Sequence, residues 1–131
     1  MREANAKWAK AALDAATGPL GALAVRTAGD LARVPPLKLL MFQALKEASA
    51  AARAAGHPLS YERLKVEAIR DCLAAPDKPN PMLQALRRGR KTDIEAVAGP
   101  FLRAARKGRV QVPVLESLHR FVKRLERELR K

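Results

Sequence analysis

The chain has 131 residues, a formal net charge of +13 and 48% hydrophobic residues, many of them alanine, but only 4% aromatic residues. This length predicts one domain with an ordinary hydrophobic core, and the alanine-rich, aromatic-poor composition favours closely packed helices. No apolar run approaches the roughly 20 residues that a membrane-spanning helix needs. The large positive charge bears on binding partners rather than on the fold.

Cys72 is the only cysteine in the sequence. It cannot form an internal disulfide, and no zinc-ligand spacing surrounds it. The first five residues lack the apolar core of a signal peptide. We therefore expect a cytoplasmic protein in a reducing compartment, without contact to a membrane.

A first helix is predicted over Glu3 to Thr17, an alanine-rich stretch without glycine or proline. Gly18-Pro19 is expected to end or kink it, with a second apolar piece behind. Lys10 and Asp14 are spaced i, i+4 on the face that also carries Gly18, so the simplest interpretation is a surface ion pair.

Gly29-Asp30 is interpreted as a break, and Pro35-Pro36 as the start of a second strong helix. Gly56-His57-Pro58 ends this helix, which makes His57 a loop histidine rather than a metal ligand. The apolar stripe of the helix is formed by Leu37, Leu40, Met41, Ala44, Leu45, Ala48 and Ala52.

Ser60 is predicted to N-cap a third helix that ends at Pro76. The apolar residues of this helix are Val66, Ile69, Cys72 and Leu73. A proline-rich loop over Asp77 to Pro81 follows, and then a short apolar piece from Met82 to Leu86.

A basic run leads into Thr92, where the next helix is predicted to begin. Thr92 and Glu95 have capping-box spacing, so the hydroxyl is expected to bond a first-turn amide and the carboxylate to reach back to the amide of Thr92. Gly99-Pro100 is expected to kink this helix and Gly108 to close it. Its apolar residues are Ile94, Val97, Phe101, Leu102 and Ala105. A well-capped helix without further function would explain the same pattern.

Pro113 begins the last predicted helix, whose apolar residues Leu115, Leu118, Val122, Leu125 and Leu129 alternate at spacings of three and four. No strand-period segment or internal repeat occurs. The sequence therefore predicts an all-α fold, a compact bundle of five or six helices that forms a single domain over residues 1–131.

From Arg87 onward the chain carries 14 Lys and Arg against 5 Asp and Glu. One interpretation is a solvated helix face with ion pairs such as Glu126–Arg130. The alternative is a basic helical module that binds nucleic acid through phosphates, or an acidic protein partner.

Several short motifs occur in a fixed order: Trp8-Ala9-Lys10, the segment Pro81 to Ala85, the segment Gly89 to Glu95, and Val112-Pro113. In this order and spacing, from Trp8 to about Leu125, the chain resembles the C-terminal helical domain of ketopantoate reductases (2-dehydropantoate 2-reductases). The resemblance implies a fold like the C-terminal domain of 6-phosphogluconate dehydrogenase.

The resemblance also implies a function, the NADPH-dependent reduction of ketopantoate to pantoate in pantothenate biosynthesis. In that family an N-terminal Rossmann domain holds NADPH, while the helical domain supplies groups that bind the substrate. By position, Lys10 matches the general acid that donates to the ketone oxygen. Asp93 matches the acidic residue that binds a substrate hydroxyl, shortened by one methylene.

Four family positions differ here. Asp14 and Gly18 replace two asparagines, Pro81 replaces a serine, and Ala98 replaces a further asparagine. No Gly-x-Gly-x-x-Gly follows a strand, so no cofactor is expected to bind this chain, and NADPH only where a Rossmann domain is supplied. We expect the domain to be inactive alone, and to associate with itself or with a separate Rossmann-domain subunit.

Overall fold

The computed structural model describes residues 2–129, and these form seven α-helices and no strand. The predicted all-α fold is confirmed, but the expected count of five or six helices is wrong. The helices are α1 (Arg2–Ala24), α2 (Ala28–Arg33), α3 (Pro35–Ala54), α4 (Tyr61–Ala74), α5 (Pro81–Arg87), α6 (Ile94–Gly108) and α7 (Pro113–Leu129).

The additional helix is α2, where the sequence pattern indicated a break. Thr27 N-caps it, since its hydroxyl accepts a hydrogen bond of 3.1 Å from the Asp30 amide. Gly29 is needed for close approach rather than for a turn, because a Cβ there would lie 2.9 Å from the Pro76 Cβ. The Gly29 amide also donates to the Pro76 carbonyl at 3.0 Å.

Helix α1 runs without interruption through Pro19, so Gly18-Pro19 does not end the helix, which was the first of the two outcomes expected for this pair. Proline withholds one amide from the helix, but Pro19 is fully buried and its ring packs in the interior. The first half of the buried face of α1 is made of the small side chains Ala12, Ala15 and Ala16. Small side chains allow helix axes to approach closely, as the composition indicated.

Helix α3 is central and packs against α1, α2, α4, α6 and α7. Its predicted stripe is largely confirmed, because Met41, Ala44, Leu45, Ala48 and Ala52 are buried, but Leu40 is not. His57 follows α3 in a loop, as predicted, and stacks on the Trp8 ring with 5.2 Å between centroids.

Helix α4 has its predicted N-cap, since the Ser60 hydroxyl accepts from the Arg63 amide at 3.2 Å. Its buried face, however, consists of Leu64, Ala68 and Cys72, whereas Val66 is 56% exposed. Cys72 is buried as predicted and Ile69 packs against the core, but Leu73 is 42% exposed, because the buried face repeats every four residues through Leu64 and Ala68.

Helix α7 begins at Pro113 as predicted, and its N-terminus is capped by another helix. The buried Glu47 of α3 accepts hydrogen bonds from the amides of Val114 at 3.1 Å and Leu115 at 2.9 Å. The Gln43 side chain donates to the same carboxylate at 3.2 Å. Two orphan amides of the first turn are thereby satisfied by a residue more than 60 positions away.

Four helix ends, those of α1, α3, α5 and α6, form the paired backbone hydrogen bonds of a Schellman motif. The motif needs one residue in the left-handed region, and Gly56 and Gly89 supply it after α3 and α5. After α1 and α6 the same position is held by Val25, with φ 54°, and Arg109, with φ 57°. A β-branched residue is strained there.

Helix α6 ends at Gly108, as predicted, but the left-handed residue that follows the helix is Arg109 rather than the glycine. The reason is helix packing, because a Cβ on Gly108 would lie 2.6 Å from the Ala54 Cβ of α3. The glycine is thus required where α6 meets α3. In residues 2–129 no helix is long and apolar enough to cross a membrane.

Candidate functional site

A cavity of about 300 Å³ opens between α1, α2, the loop before α5, and the start of α6. We call it the α1–α6 cavity. It is lined by Asp14, Thr17, Gly18, Gly21, Arg26, Ala28, Leu31, Lys78, Pro79, Asn80, Pro81, Met82, Asp93 and Val97. Two carboxylates and two cations thus border one concave surface, an arrangement that suits a small polar ligand.

The wall from α1 consists of residues at helical spacing, Asp14, Thr17, Gly18 and Gly21. Gly18 leaves space, because a Cβ there would meet no atom closer than the Met82 Cε at 4.0 Å. The opposite holds for Gly21, where a Cβ would lie 2.9 Å from the side-chain nitrogen of the neighbouring loop residue.

That loop residue is Asn80, which fixes the rim of the cavity. Its Nδ2 donates to the Gly18 carbonyl at 3.0 Å, and its Oδ1 accepts from the Leu83 amide at 3.0 Å as the N-cap of α5. Sequence reasoning missed Asn80. The available signal was Asn80-Pro81, an N-cap residue followed by proline at the first helical position.

Lys10 lies one turn before Asp14 on α1, and its ammonium is 3.0 Å from the Asp14 Oδ1. The predicted ion pair is therefore present. The two side chains are 74% and 50% exposed, so solvent screens the pair and its contribution to stability is small. Asp14 lines the cavity whereas Lys10 does not, which places the lysine at the edge.

Asp93 lines the cavity on the side of α6 and is exposed to solvent. The structure thus brings Asp93 together with Asp14, Gly18 and Pro81, which are distant in sequence. Ala98, the remaining position that differs from the family pattern, is buried in the core instead.

The start of α6 is held by a carboxylate from α7. Glu126 is only 3% exposed, and its Oε2 accepts from the Thr92 amide at 2.8 Å and also from the Thr92 hydroxyl. The hydroxyl in turn accepts from the Ile94 amide at 3.2 Å. The bond from Thr92 to a first-turn amide is as predicted, but the helix begins at Ile94 rather than at Thr92, and its N-cap residue is Asp93, whose side chain makes no capping bond. Glu126 was expected on a solvated face, paired with Arg130. Arg130 lies outside the described residues.

The predicted return bond of the capping box does not form. Glu95 instead points to α7, where its carboxylate is 2.7 Å from His119 Nε2 and 3.7 Å from Lys123 Nζ. Glu126 takes the place of the returning carboxylate, because it bonds the Thr92 amide from across the bundle. A local sequence pattern cannot reveal a partner 34 residues away.

Two carboxyl groups near this junction have lowered pKa values. Burial would raise the pKa of Glu126, but the two hydrogen bonds from Thr92 and the Lys123 ammonium together hold it below its ordinary value. The hydrogen bond from His119 lowers the pKa of Glu95, with a contribution from Lys123. Both groups are therefore charged near neutral pH. No cluster of metal-ligating side chains occurs in the part of the chain that the structure describes.

Residues 4–126 match the family model described as "Ketopantoate reductase PanE/ApbA C terminal". The chain is 32% identical over 121 residues to a 2-dehydropantoate 2-reductase of Shigella flexneri, covering 92% of this chain and 39% of that protein. It therefore spans well under half of that relative's length.

Solved structures of ketopantoate reductases have the same helical fold over this part of their chains. A PanE/ApbA family ketopantoate reductase from Ralstonia eutropha JMP134 superposes with a TM-score of 0.87 at 27% identity, over 97% of this chain and 42% of that one. A dimeric ketopantoate reductase from Staphylococcus aureus has a TM-score of 0.79 over 95% and 44% of the two chains. At 19% identity, this second likeness shows the fold alone.

Proposed function

The chain belongs to the ketopantoate reductase family and corresponds to its C-terminal helical domain; from this premise we propose that it is the substrate-side domain of an oxidoreductase that reduces a small 2-oxo acid. The observation that carries the proposal is the α1–α6 cavity. Of the six positions that match the family's substrate contacts, four line it: Asp14, Gly18, Pro81 and Asp93.

The cavity has groups for each part of such a substrate. Arg26 and Lys78 supply positive charge for the carboxylate, and sequence reasoning missed both. Asp93 accepts a hydrogen bond from a substrate hydroxyl. Arg26 also lies 3.6 Å from Asp30 on α2, which positions its guanidinium at the rim.

Lys10 is proposed as the general acid. An ammonium has three N–H donors, and one of them points to Asp14 at 3.0 Å. The other two can donate to a carbonyl oxygen at the mouth of the cavity. There the positive charge stabilises the oxygen as it becomes negative, and the proton is then transferred to it.

The substrate is proposed to carry fewer hydrogen-bonding groups, or a larger apolar group, than ketopantoate. Gly18 and Pro81 have no polar side chains where the family pattern has an asparagine and a serine. Space is also available beside Gly18. A site that lacks those donors and acceptors discriminates less in favour of the corresponding substrate groups.

The donor set of the cavity fits a small acid and does not fit a dinucleotide. In Rossmann domains the pyrophosphate is bound by a strand, a glycine-rich loop and the helix that follows it. Residues 2–129 contain no such unit. We therefore propose that NADPH is bound by a separate Rossmann domain, and that the helical domain does not catalyse reduction on its own.

The test is a chimera in which the part of the Shigella flexneri relative that precedes the matched segment is joined to this chain. Reduction of ketopantoate and of bulkier 2-oxo acids is followed by NADPH oxidation. Lys10→Ala is expected to lower kcat by about 10²- to 10⁴-fold, as for loss of a general acid. Asp93→Asn is expected mainly to raise KM.

Lys7→Ala is the matched control, since it removes another exposed lysine of α1 and should leave the rate unchanged. If Lys10→Ala retains the full rate, Lys10 is not the acid. If a well-folded chimera reduces none of the acids, the proposed function is wrong.

Association and location remain predictions. A dimer, or a complex with a Rossmann-domain subunit, is expected from the family. Light scattering on the chain with and without that subunit would show the stoichiometry. A cytoplasmic location is expected from the single cysteine, and fractionation of the producing cells would test it.

A further inference from the structure

A second cavity, of about 680 Å³, lies between the end of α6 and the middle of α7. We call it the α6–α7 groove. Its basic residues are Arg106, Arg109, Arg120, Lys123 and Arg127, and its floor includes Leu102, Ala105 and Val110. It shares no lining residue with the α1–α6 cavity.

Positive charge in the groove is poorly compensated. Lys123 lies 3.7 Å from Glu95 and 3.6 Å from Glu126, so its charge is largely balanced. The four arginines have no carboxylate within 4.0 Å among residues 2–129, and Glu116 is the one acidic side chain of that range that lines the groove. Neighbouring like charges destabilise the folded state unless an anion binds between them.

Arg109 adds a second, independent observation. It occupies the left-handed position of the α6 Schellman motif with φ 57°, where glycine would be relaxed. This strained turn therefore places an arginine, where glycine would be preferred, at the edge of the groove.

The lining indicates the chemistry of the ligand. A guanidinium group can donate two parallel hydrogen bonds to the oxygens of one phosphate. Four of the five cationic side chains of the groove are arginines. The volume falls within the range of small-molecule sites. Within residues 2–129 no Phe, Tyr or Trp ring lines the groove, and the His119 imidazole that does is engaged by the Glu95 carboxylate at 2.7 Å, which disfavours stacking on bases.

We propose that the α6–α7 groove is a binding site for a small organic polyphosphate, whose phosphates contact the arginines and whose apolar part lies on the Leu102–Ala105–Val110 floor. The site is separate from the proposed substrate cavity, so this proposal can be tested independently of the proposed reductase function.

The test is calorimetric titration of the chain with sodium tripolyphosphate at constant ionic strength. Saturable binding of one molecule per chain is expected. Arg106→Gln with Arg120→Gln should raise Kd by about tenfold or more, as for the loss of two charge-assisted hydrogen bonds. The matched control, Arg63→Gln with Arg70→Gln, removes two exposed arginines of α4 and should change Kd less than about twofold.

Arg109→Gly separates binding from folding. It relaxes the backbone of the turn, so the variant should melt at the same or a higher temperature, and yet bind tripolyphosphate several-fold more weakly. Unchanged binding in this variant would contradict the proposal, because it would remove Arg109 from the site.

Competition distinguishes the classes of anion. Tripolyphosphate binding that resists a short DNA duplex and a polyglutamate peptide at equal charge concentration supports a small-ligand site. Tighter binding of either polymer, with tripolyphosphate excluded, would make the groove a docking surface for a macromolecule and overturn the proposal. An equal loss in the α4 control, or no tripolyphosphate binding at all, would also overturn it.

Discussion

Replacement of Glu126 by glutamine is expected to destabilise the domain strongly, although it changes a single oxygen of the side chain to an amide nitrogen. The carboxylate is 3% exposed and accepts two hydrogen bonds from Thr92, with the Lys123 ammonium 3.6 Å away. Hydrogen bonds to charged groups contribute about 1.5 to 3 kcal/mol each. Both bonds end on one oxygen, so the amide oxygen of glutamine can keep them only as neutral bonds of about 0.5 to 1.5 kcal/mol each. We therefore expect a loss of about 2 to 3 kcal/mol in the free energy of unfolding.

Urea unfolding followed by circular dichroism at 222 nm measures this change. A loss of that size should lower Tm by roughly 5 to 12 °C in a domain of this length. The matched control is Glu128→Gln, also on α7, whose carboxylate is 54% exposed and pairs with Arg124 at 3.1 Å. It should cost no more than about 0.5 kcal/mol.

The pH dependence of the free energy of unfolding tests the electrostatic contribution of the Glu126 carboxylate. The pKa of Glu126 is lower in the folded state than its ordinary value of 4.5. Its charge therefore stabilises the fold above the unfolded pKa, and this stabilisation is lost as the pH falls through the folded pKa. The difference between wild type and Glu126→Gln should shrink over that acidic range. Equal stability of the two proteins at neutral pH would refute the assigned role of Glu126.

Three further substitutions test the packing and the helix ends. Glu47→Ala leaves one buried and one partly buried amide of α7 without an acceptor. It should lower the free energy of unfolding in urea by about 2 to 4 kcal/mol, whereas replacement of the exposed Glu116 by alanine should cost less than about 0.5 kcal/mol. Val25→Gly should raise stability by about 1 kcal/mol, because it removes a β-branched residue from the left-handed region; an unchanged Tm would speak against strain there. Gly108→Ala should lower stability, because its Cβ would lie 2.6 Å from the Ala54 Cβ. Ala54→Gly in the same chain should recover part of that loss, and simple additivity of the two changes would contradict a direct clash.

Local features of the fold could be predicted from the sequence because their causes are local. Ser60 caps α4 from three residues away, and Pro113 begins α7, since both act within one turn of a helix. The stripe of α3 repeats at helical spacing, so its buried face was largely evident. The order of motifs also indicated the family.

Other features depend on contacts between distant segments. Glu47 and Glu126 are typical surface residues by sequence, yet each is buried against amides of another helix or its entry loop. Gly29 and Gly108 were interpreted as breaks, but each is small because a neighbouring segment passes close by.

The two cavities could be predicted only in part. The resemblance named Lys10, Asp14, Gly18 and Asp93 as one site, but it did not indicate that Asn80 fixes the rim. The α6–α7 groove was visible only as excess positive charge in the last third of the chain. Which arginines converge depends on how α6 and α7 pack, and a charge count contains no such information.

The measurement that most directly tests the central claim is an amide NMR titration of the unmodified chain with ketopantoate, with pivalate as a control anion of similar shape that lacks the ketone and the hydroxyl. The account predicts saturable shift changes at Gly18, Gly21 and the amides around Asp93 with ketopantoate, and much smaller ones in Asp93→Asn. Shifts confined to the α6–α7 groove, or equal responses to both anions, would contradict a substrate site in the α1–α6 cavity.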